Sequence, residues 1–303
     1  MIIGRFAPSP TSDLHLGNLR TALLAWLFAN VPGGEMLLRV EDLDQQRVAA
    51  AGNVAVRQLA DLRGLGIDWP QPVLRQSERL EIYRHYAAGL ETYECFCTRR
   101  EIAAASQAPH GDYRPYPGTC ANLTKAQRHL KRETRKPAIR VRAEGAEFTV
   151  HDLHAGDVNG VVDDFVLFRA DGTPSYNLAV VVDDGLSSVN QVVRGRDLLD
   201  SSPRQGWLAE RLGFVVPDYA HVGLAINANG DRLAKRDGDV TLRDLDGDGK
   251  LAFGLICESA GLPQADDPQQ LKNLLALTDL VSNEEIWSDW VVTENLIKQA
   301  RRS

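Results

Sequence analysis

Residues 4–18 read Gly4-Arg5-Phe6-Ala7-Pro8-Ser9-Pro10-Thr11-Ser12-Asp13-Leu14-His15-Leu16-Gly17-Asn18. The apolar run into Phe6 predicts a short buried strand, and Pro8 and Pro10 end it because neither can donate to a ladder. Ser12 and Asp13 are good helix caps. Leu19, Leu23 and Trp26 then recur at helical spacing. The stretch therefore predicts a strand, a sharp loop and a helix. Backbone N–H groups at such a helix start point towards an anion. Gly17 would let a phosphate come close to the chain, and His15 would add a donor. An ordinary turn with a surface histidine fits the same fragment.

The pattern continues outward. Met36–Val40 reads as a second strand ending in Glu41-Asp42-Leu43-Asp44. Val56, Leu59 and Leu62 mark one face of a helix closed by Gly64-Leu65-Gly66. Another helix is expected over 78–92, carrying Leu80, Tyr83, Tyr86 and Leu90. Regular periodicity then lapses over 93–122. A basic stretch, 125–142, holds Lys125, Arg128, Lys131, Arg132, Arg135, Lys136, Arg140 and Arg142 against one acid, Glu133. Its last part, Ala138–Arg142, alternates like a strand with one wet face, and Phe165–Phe168 is a further strand. Leu178–Val182 is a continuous apolar run that predicts a strand buried on both faces, ended by Asp183-Asp184-Gly185. Val192 and Val193 lead into Arg194-Gly195-Arg196-Asp197. The chain from about 250 reads as helical: one helix closes at Gly261-Leu262-Pro263, and another opens at Asp267-Pro268 with Leu271, Leu274 and Leu275 inside. The sum is an α/β fold with a parallel sheet, an irregular insertion and a helical end.

Composition narrows the function. The 303 residues are 44% hydrophobic and 25% charged, ordinary for a globular protein with a real core. Forty-one acids against 34 bases, a net charge of −7, argue against a general nucleic-acid coat protein but not against an enzyme with a local basic face. The basic run 125–142 is such a face for a phosphate backbone. Arg5 follows the start too soon for a secretory signal, and no apolar run approaches a membrane span. Cys95, Cys97 and Cys120 lie close in sequence, which suggests zinc rather than a disulfide framework, and a reducing cytoplasm. Ligand chemistry alone makes His110 a candidate for the fourth position. Cys257, among Phe253, Leu255 and Ile256, reads as core. Asp244–Gly249 begins like a calcium loop, but Leu255 stands where a bidentate glutamate is needed.

Together the motifs resemble the class I glutamyl-tRNA synthetases. Gly4–Thr11 with His15-Leu16-Gly17 is similar to that family's ATP-binding signature. Arg232-Leu233-Ala234-Lys235-Arg236 is similar to its lysine-containing motif, although Ala234 replaces the usual serine. Thr173–Ala179 and Val193-Arg194-Gly195 resemble its amino-acid pocket. Only residues 237–303 follow the lysine motif, whereas full glutamyl-tRNA synthetases add large helical anticodon-reading domains. This short layout, the Cys-x-Cys pair and Tyr176–Val182 resemble the glutamyl-queuosine tRNA(Asp) synthetases.

That resemblance implies a class I Rossmann-like core with a zinc-bearing insertion and a short helical C-terminal segment. The expected boundaries are 1–80 and 174–240 for the two halves of the core, 81–173 for the insertion and 241–303 for the tail. It implies activation of glutamate by ATP without tRNA, with Mg²⁺, and transfer to the queuosine of tRNA(Asp). Arg5, Ala7, Ser9, Glu41, Tyr176 and Arg194 would hold glutamate, with Arg5 and Arg194 gripping carboxylates in a bidentate way and Glu41 taking the ammonium. Pro8, His15, Gly17, Asn18 and Lys235 would hold ATP, and His15, Gly17 and Lys235 would act on the phosphates. Cys95, Cys97, Cys120 and, by resemblance, Tyr116 would bind one structural Zn²⁺. The alternatives are a trimmed glutamyl-tRNA synthetase charging a tRNA 3′ end, and a non-catalytic glutamate- or tRNA-binding module, to which Ala234 points.

Overall fold

The computed structural model describes residues 1–98, 100–102, 116–231, 233, 240–245, 249–293 and 296. Strands β1 (Ile3–Phe6), β2 (Glu35–Val40) and β3 (Leu74–Arg75) pair in parallel, with β1 bonded to β2 and β2 to β3. Later in the chain, β9 (Gln191–Gly195) and β10 (Asp218–Val222) pair in parallel. β10 meets the end of β6 (Ala146–Asp152), whose antiparallel partner is β7 (Gly156–Val162). The two groups adjoin at β1 and β9: Asn190 N–H donates to the Ile3 carbonyl at 3.0 Å, and the Asn190 side chain accepts from Ile3 N–H at 2.8 Å. Read across, the order is β3-β2-β1-β9-β10-β6-β7. The chain reverses its direction of travel between β1 and β9, and ligands of doubly wound folds bind outside the carboxyl ends of the strands at that point.

Helix α1 (Leu16–Asn30) follows β1, packs across β1, β2 and β9 and is buried nearly all round. Helices α2 (Gln45–Ala51), α3 (Val54–Gly64) and α4 (Leu80–Ala87) come next. In α3 the buried positions are Val54, Gln58, Asp61 and Leu62, while Val56 is exposed: the inward face is set by polar contacts as well as apolar ones. The helix expected over 78–92 is shorter, because Thr92 already begins β4 (Thr92–Cys95). β4, β5 (Ala138–Val141) and β8 (Val166–Phe168) form a separate antiparallel sheet, preceded by helix α5 (Lys125–Thr134). Residues 81–173 thus contribute both to this small sheet and, through β6 and β7, to the main one.

Residues 178–182 are not a strand. They lie in helix α6 (Tyr176–Leu186), which Ser175 caps by accepting from Leu178 N–H. A short apolar run does not distinguish a buried strand from a buried helix, and here the cap and burial all round decide for the helix. Helix α7 (Ser202–Arg211) lies over β6 and β7. The tail is bound tightly to the core. Buried Arg20 of α1 donates to the carbonyls of Gly223, Glu285 and Ile286, and Trp290-Val291 pairs with Ala225-Ile226. Leu271 is buried there, but Leu274 is exposed at the end of its helix. Cys257 is core as expected, its thiol pushed up to about 12 by burial. No helix among the described residues is long and apolar enough to cross a membrane.

Candidate active site

Strand alternation puts one set of side chains on each face of the sheet. Phe6, Met36, Leu38, Val193 and Ala220 join the core around α1, whereas Val192 and Tyr219 belong to a cluster that Ile3 and Leu37 pack against. Two residues further along each of these second-face positions stand Arg5, Arg39, Arg194 and His221. The sheet therefore presents three guanidinium groups and an imidazole side by side at its carboxyl end, all buried.

Helix α6 answers them. Asp184 accepts from Arg5 Nε at 3.3 Å and from Arg39 at 2.5 Å. Burial alone would raise its pKa, but Arg39 and Arg5 outweigh burial and hold it below the usual carboxylate range. Asp183, fully buried, accepts from Gln76 (3.0 Å), Arg79 (2.7 Å) and Tyr83 (2.9 Å). In the sequence Asp183 and Asp184 read as the end of a strand. The signal was present all the same: two adjacent acids closing an apolar run must be paired if buried.

Arg5 and Arg194 differ. Among the described residues Arg5 has one protein partner, Asp184, so both its terminal nitrogens keep their hydrogens for a ligand. Arg194 is nearly saturated. It donates through Nε to His221 (3.0 Å), through one terminal nitrogen to Gln205 (2.7 Å), and through the other to Ser202 (2.8 Å), Leu198 O (3.2 Å) and Ser201 (3.4 Å). One hydrogen remains on the nitrogen bonded to Gln205. The expected bidentate grip is thus available at Arg5 but not at Arg194, whose second fork is used to fix its own position.

Ser9, Glu41 and Tyr176 line one cavity of about 560 Å³, whose wall continues through Gln76, Arg169 and Ser175. Glu41 lies 3.2 Å from Arg39; its pKa is raised by burial, against the pull of Arg39 and Arg5. Arg5 and Arg194 do not line this cavity; both charges act on the buried ring of Tyr219, as does that of Asp184. Ala7, half-buried, follows β1 directly, and Pro8 is buried with its carbonyl accepting from Glu41 N–H. Buried Gln58 pins the proline loop by donating to the carbonyls of Ser9 (3.0 Å) and Ser12 (2.7 Å).

The helix start departs from expectation. His15 is itself the cap of α1: its Nδ1 accepts from Gly17 N–H (3.1 Å) and Asn18 N–H (3.3 Å), and the Asn18 side chain accepts from His15 N–H. Those two amides are engaged rather than aimed at a phosphate, and Nε2 carries the imidazole proton. Gly17 also has a packing reason, since a Cβ there would lie 2.7 Å from the Ala225 methyl. Lys235, with Arg232, Ala234 and Arg236, lies outside the described residues. Its neighbours on both sides are placed: Leu233 N–H donates to Ala225 O (3.3 Å), and Leu16 N–H donates to Val240 O (2.9 Å). Arg243 reaches back to Asp61 at 2.7 Å. Leu233 and Val240, on either side of the lysine motif, therefore lie beside the start of α1.

In the small sheet the sulfurs of Cys95, Cys97 and Cys120 lie within 4.8 Å of one another. The Tyr116 hydroxyl sits 3.4 Å from Cys95 Sγ and 3.6 Å from Cys97 Sγ. Three soft donors and a phenol at these separations suit a tetrahedral cation. Burial, with the neighbouring sulfurs, pushes the Cys97 thiol up to about 11, a crowding that a cation would relieve. His110 lies outside the described residues. The expected wet face of β5 is absent: Arg140 is buried, 3.6 Å over the Tyr116 ring, and donates to Asp164 O. Arg132, Arg135 and Arg142 also have protein partners, so half of the basic run supports the fold.

Parallel strands, the switch point and the buried arginine row define a class I synthetase core. The chain belongs to the family described as tRNA synthetases class I (E and Q), catalytic domain, which it matches over residues 1–291. It is 53% identical to a glutamyl-Q tRNA(Asp) synthetase of Cutibacterium acnes, over 99% of this chain and 91% of the relative. It is 52% identical to one of Nocardia farcinica, over 98% and 94%. A glutamate-tRNA synthetase structure from Elizabethkingia anophelis shares the fold, with a TM-score of 0.79 at 24% identity, covering 99% of this chain and 69% of that one.

Proposed function

We propose that the chain condenses glutamate with ATP to glutamyl-adenylate and then esterifies the queuosine of tRNA(Asp), in the cytoplasm. A glutamate carboxylate oxygen attacks the α-phosphorus, the bond to the β-phosphate breaks and pyrophosphate leaves. A queuosine hydroxyl then attacks the acyl carbon and AMP departs. The protein supplies position and charge rather than a nucleophile. Arg5 holds a glutamate carboxylate through two hydrogens, Arg194 adds one, and Glu41, Ser9 and Tyr176 receive the ammonium and orient the chain, beside Ala7. Pro8, His15, Gly17 and Asn18 border the nucleotide, and Lys235 neutralises the phosphates of ATP, which Mg²⁺ accompanies.

The observation carrying the amino-acid reading is the placement of Arg5, with its terminal nitrogens uncommitted among the described residues, at the reversal of strand order. The acceptor reading is supported by relatives named for glutamyl-Q chemistry that match this chain over nearly their whole length. Lys125, Lys131 and Lys136, exposed, and Arg128, half-buried, all without an ion-pair partner among the described residues, suit the tRNA backbone. Acylation of tRNA(Asp) with and without queuosine is the test: labelled glutamate should appear only with queuosine and on that nucleoside after nuclease digestion. Label at the 3′ end would overturn the acceptor reading.

Cys95, Cys97, Cys120 and Tyr116 would hold one Zn²⁺ that cross-links β4 to the segment before α5. Metal analysis should find about one zinc per chain, lost in Cys120→Ser, with exchange of the main-sheet amides little changed.

A further inference from the structure

Arg194 and His221 are directly opposite in the parallel β9–β10 register, and Asp152 ends the neighbouring strand β6. His221 Nε2 accepts from Arg194 Nε at 3.0 Å, and its Nδ1 lies 2.7 Å from Asp152 Oδ2. Asp152 is fixed in turn, accepting from the backbone N–H of His154 (2.9 Å), Ala155 (2.8 Å) and His221 (3.1 Å). All three side chains are more than nine-tenths buried.

We propose that Asp152 and His221 are positioning residues for amino-acid binding, holding the Arg194 guanidinium through one imidazole tautomer. This rests on the reading that Arg194 contacts glutamate. Arg194 Nε always carries hydrogen, so His221 Nε2 must be bare and the proton must sit on Nδ1, where Asp152 receives it. The Ser202 hydroxyl, 3.3 Å from the same Nε2, fits that arrangement: it accepts from Arg194 and donates to the ring. The opposite tautomer would set two N–H groups against each other in a buried site.

The imidazole also acts as a spacer. Arg5 and Arg39 touch carboxylates directly, and those carboxylates spend much of their field. Arg194 has no carboxylate at ion-pair distance among the described residues. Its direct acceptors are a ring nitrogen, an amide, two hydroxyls and a carbonyl, all neutral. Asp152 fixes orientation from one ring away and leaves the guanidinium charge for a ligand anion. Gln205, the amide acceptor, is itself oriented by Asn177 at 3.0 Å.

The experiment is pyrophosphate exchange with glutamate and ATP varied separately, in Asp152→Asn, His221→Gln and Arg194→Ala. Asp152→Asn can donate to Nδ1 and so favours the wrong tautomer; it should raise the glutamate KM roughly ten- to a hundredfold, the range of one lost buried charge-assisted hydrogen bond. The ATP KM should stay within about twofold. His221→Gln, whose carbonyl can accept from Arg194 Nε, should raise the glutamate KM much less than Asp152→Asn does. A glutamate KM unmoved by Asp152→Asn, while Arg194→Ala raises it, overturns the relay alone. A glutamate KM unmoved by Arg194→Ala overturns the underlying reading. Side-chain ¹⁵N spectra of the wild type give an independent answer: a bare Nε2 on His221 is expected, and a protonated Nε2 refutes the proposal whether or not the variants fold.

Discussion

Two buried arginine environments stand side by side on one sheet face, and they solve the same problem differently. Around α6, Arg5, Arg39 and Arg79 meet Asp183 and Asp184 directly. Around β10, Arg194 meets only neutral acceptors among the described residues, with a carboxylate one imidazole away. Direct pairing neutralises buried charge at its source and ties helix to sheet. Indirect pairing fixes direction while preserving charge. Where both occur within one site, the first reads as scaffold and the second as ligand recognition, with Arg5 at the boundary because its pair with Asp184 uses only Nε.

The scaffold role gives the largest expected effect. Asp183→Ala leaves Gln76, Arg79 and Tyr83 without their acceptor in a fully buried place. Removing one partner of such a network costs about 3–5 kcal/mol, read as a lower urea midpoint at unchanged slope. A loss below about 1 kcal/mol would remove the contrast between the two environments.

Arg5 sharpens the boundary. Arg5→Ala leaves Asp184 with Arg39 at 2.5 Å, so folding should suffer less than in Asp183→Ala. Glutamate-dependent pyrophosphate exchange should fall roughly a hundredfold or more, as for other lost charged anchors of a carboxylate. Equal damage to folding in the two variants would make Arg5 scaffold rather than ligand anchor.

The parts of this site legible in the sequence were those written in adjacent residues. Pro8 and Pro10 end a strand wherever they stand, Arg194 follows an apolar pair, and Cys95 and Cys97 share a short segment. Asp184 was not legible as a partner, because Arg5 lies 179 positions away and only the strand order brings them together. Leu178–Val182 fits two periods equally well until Ser175 is seen to cap it. Arg140 reads as a wet-face charge because its neighbours are basic; the Tyr116 ring that it covers lies in another part of the insertion. His221 carried no motif at all. Its role follows from register with Arg194, a property of paired strands rather than of either one.

The smallest expected effect separates the two environments by pH. His221 is held below its ordinary pKa by burial, with Arg194 and Arg5 acting the same way and Asp152 opposing them; Tyr219 stacks on the ring. The unfolded chain then binds more protons than the folded one as pH falls below about 6.5. Stability is therefore full above that value and declines beneath it, at no more than about 1.4 kcal/mol per pH unit for one proton. Asp184, held low by Arg39 and Arg5, contributes nothing to this decline; its own loss begins only as pH falls through about 3.9. Urea unfolding of the wild type and His221→Gln between pH 7 and 5 should show a slope in the first that is flatter in the second. Identical slopes would mean that folding does not keep His221 neutral, and the Arg194 environment would then be a second cationic scaffold rather than a directed donor.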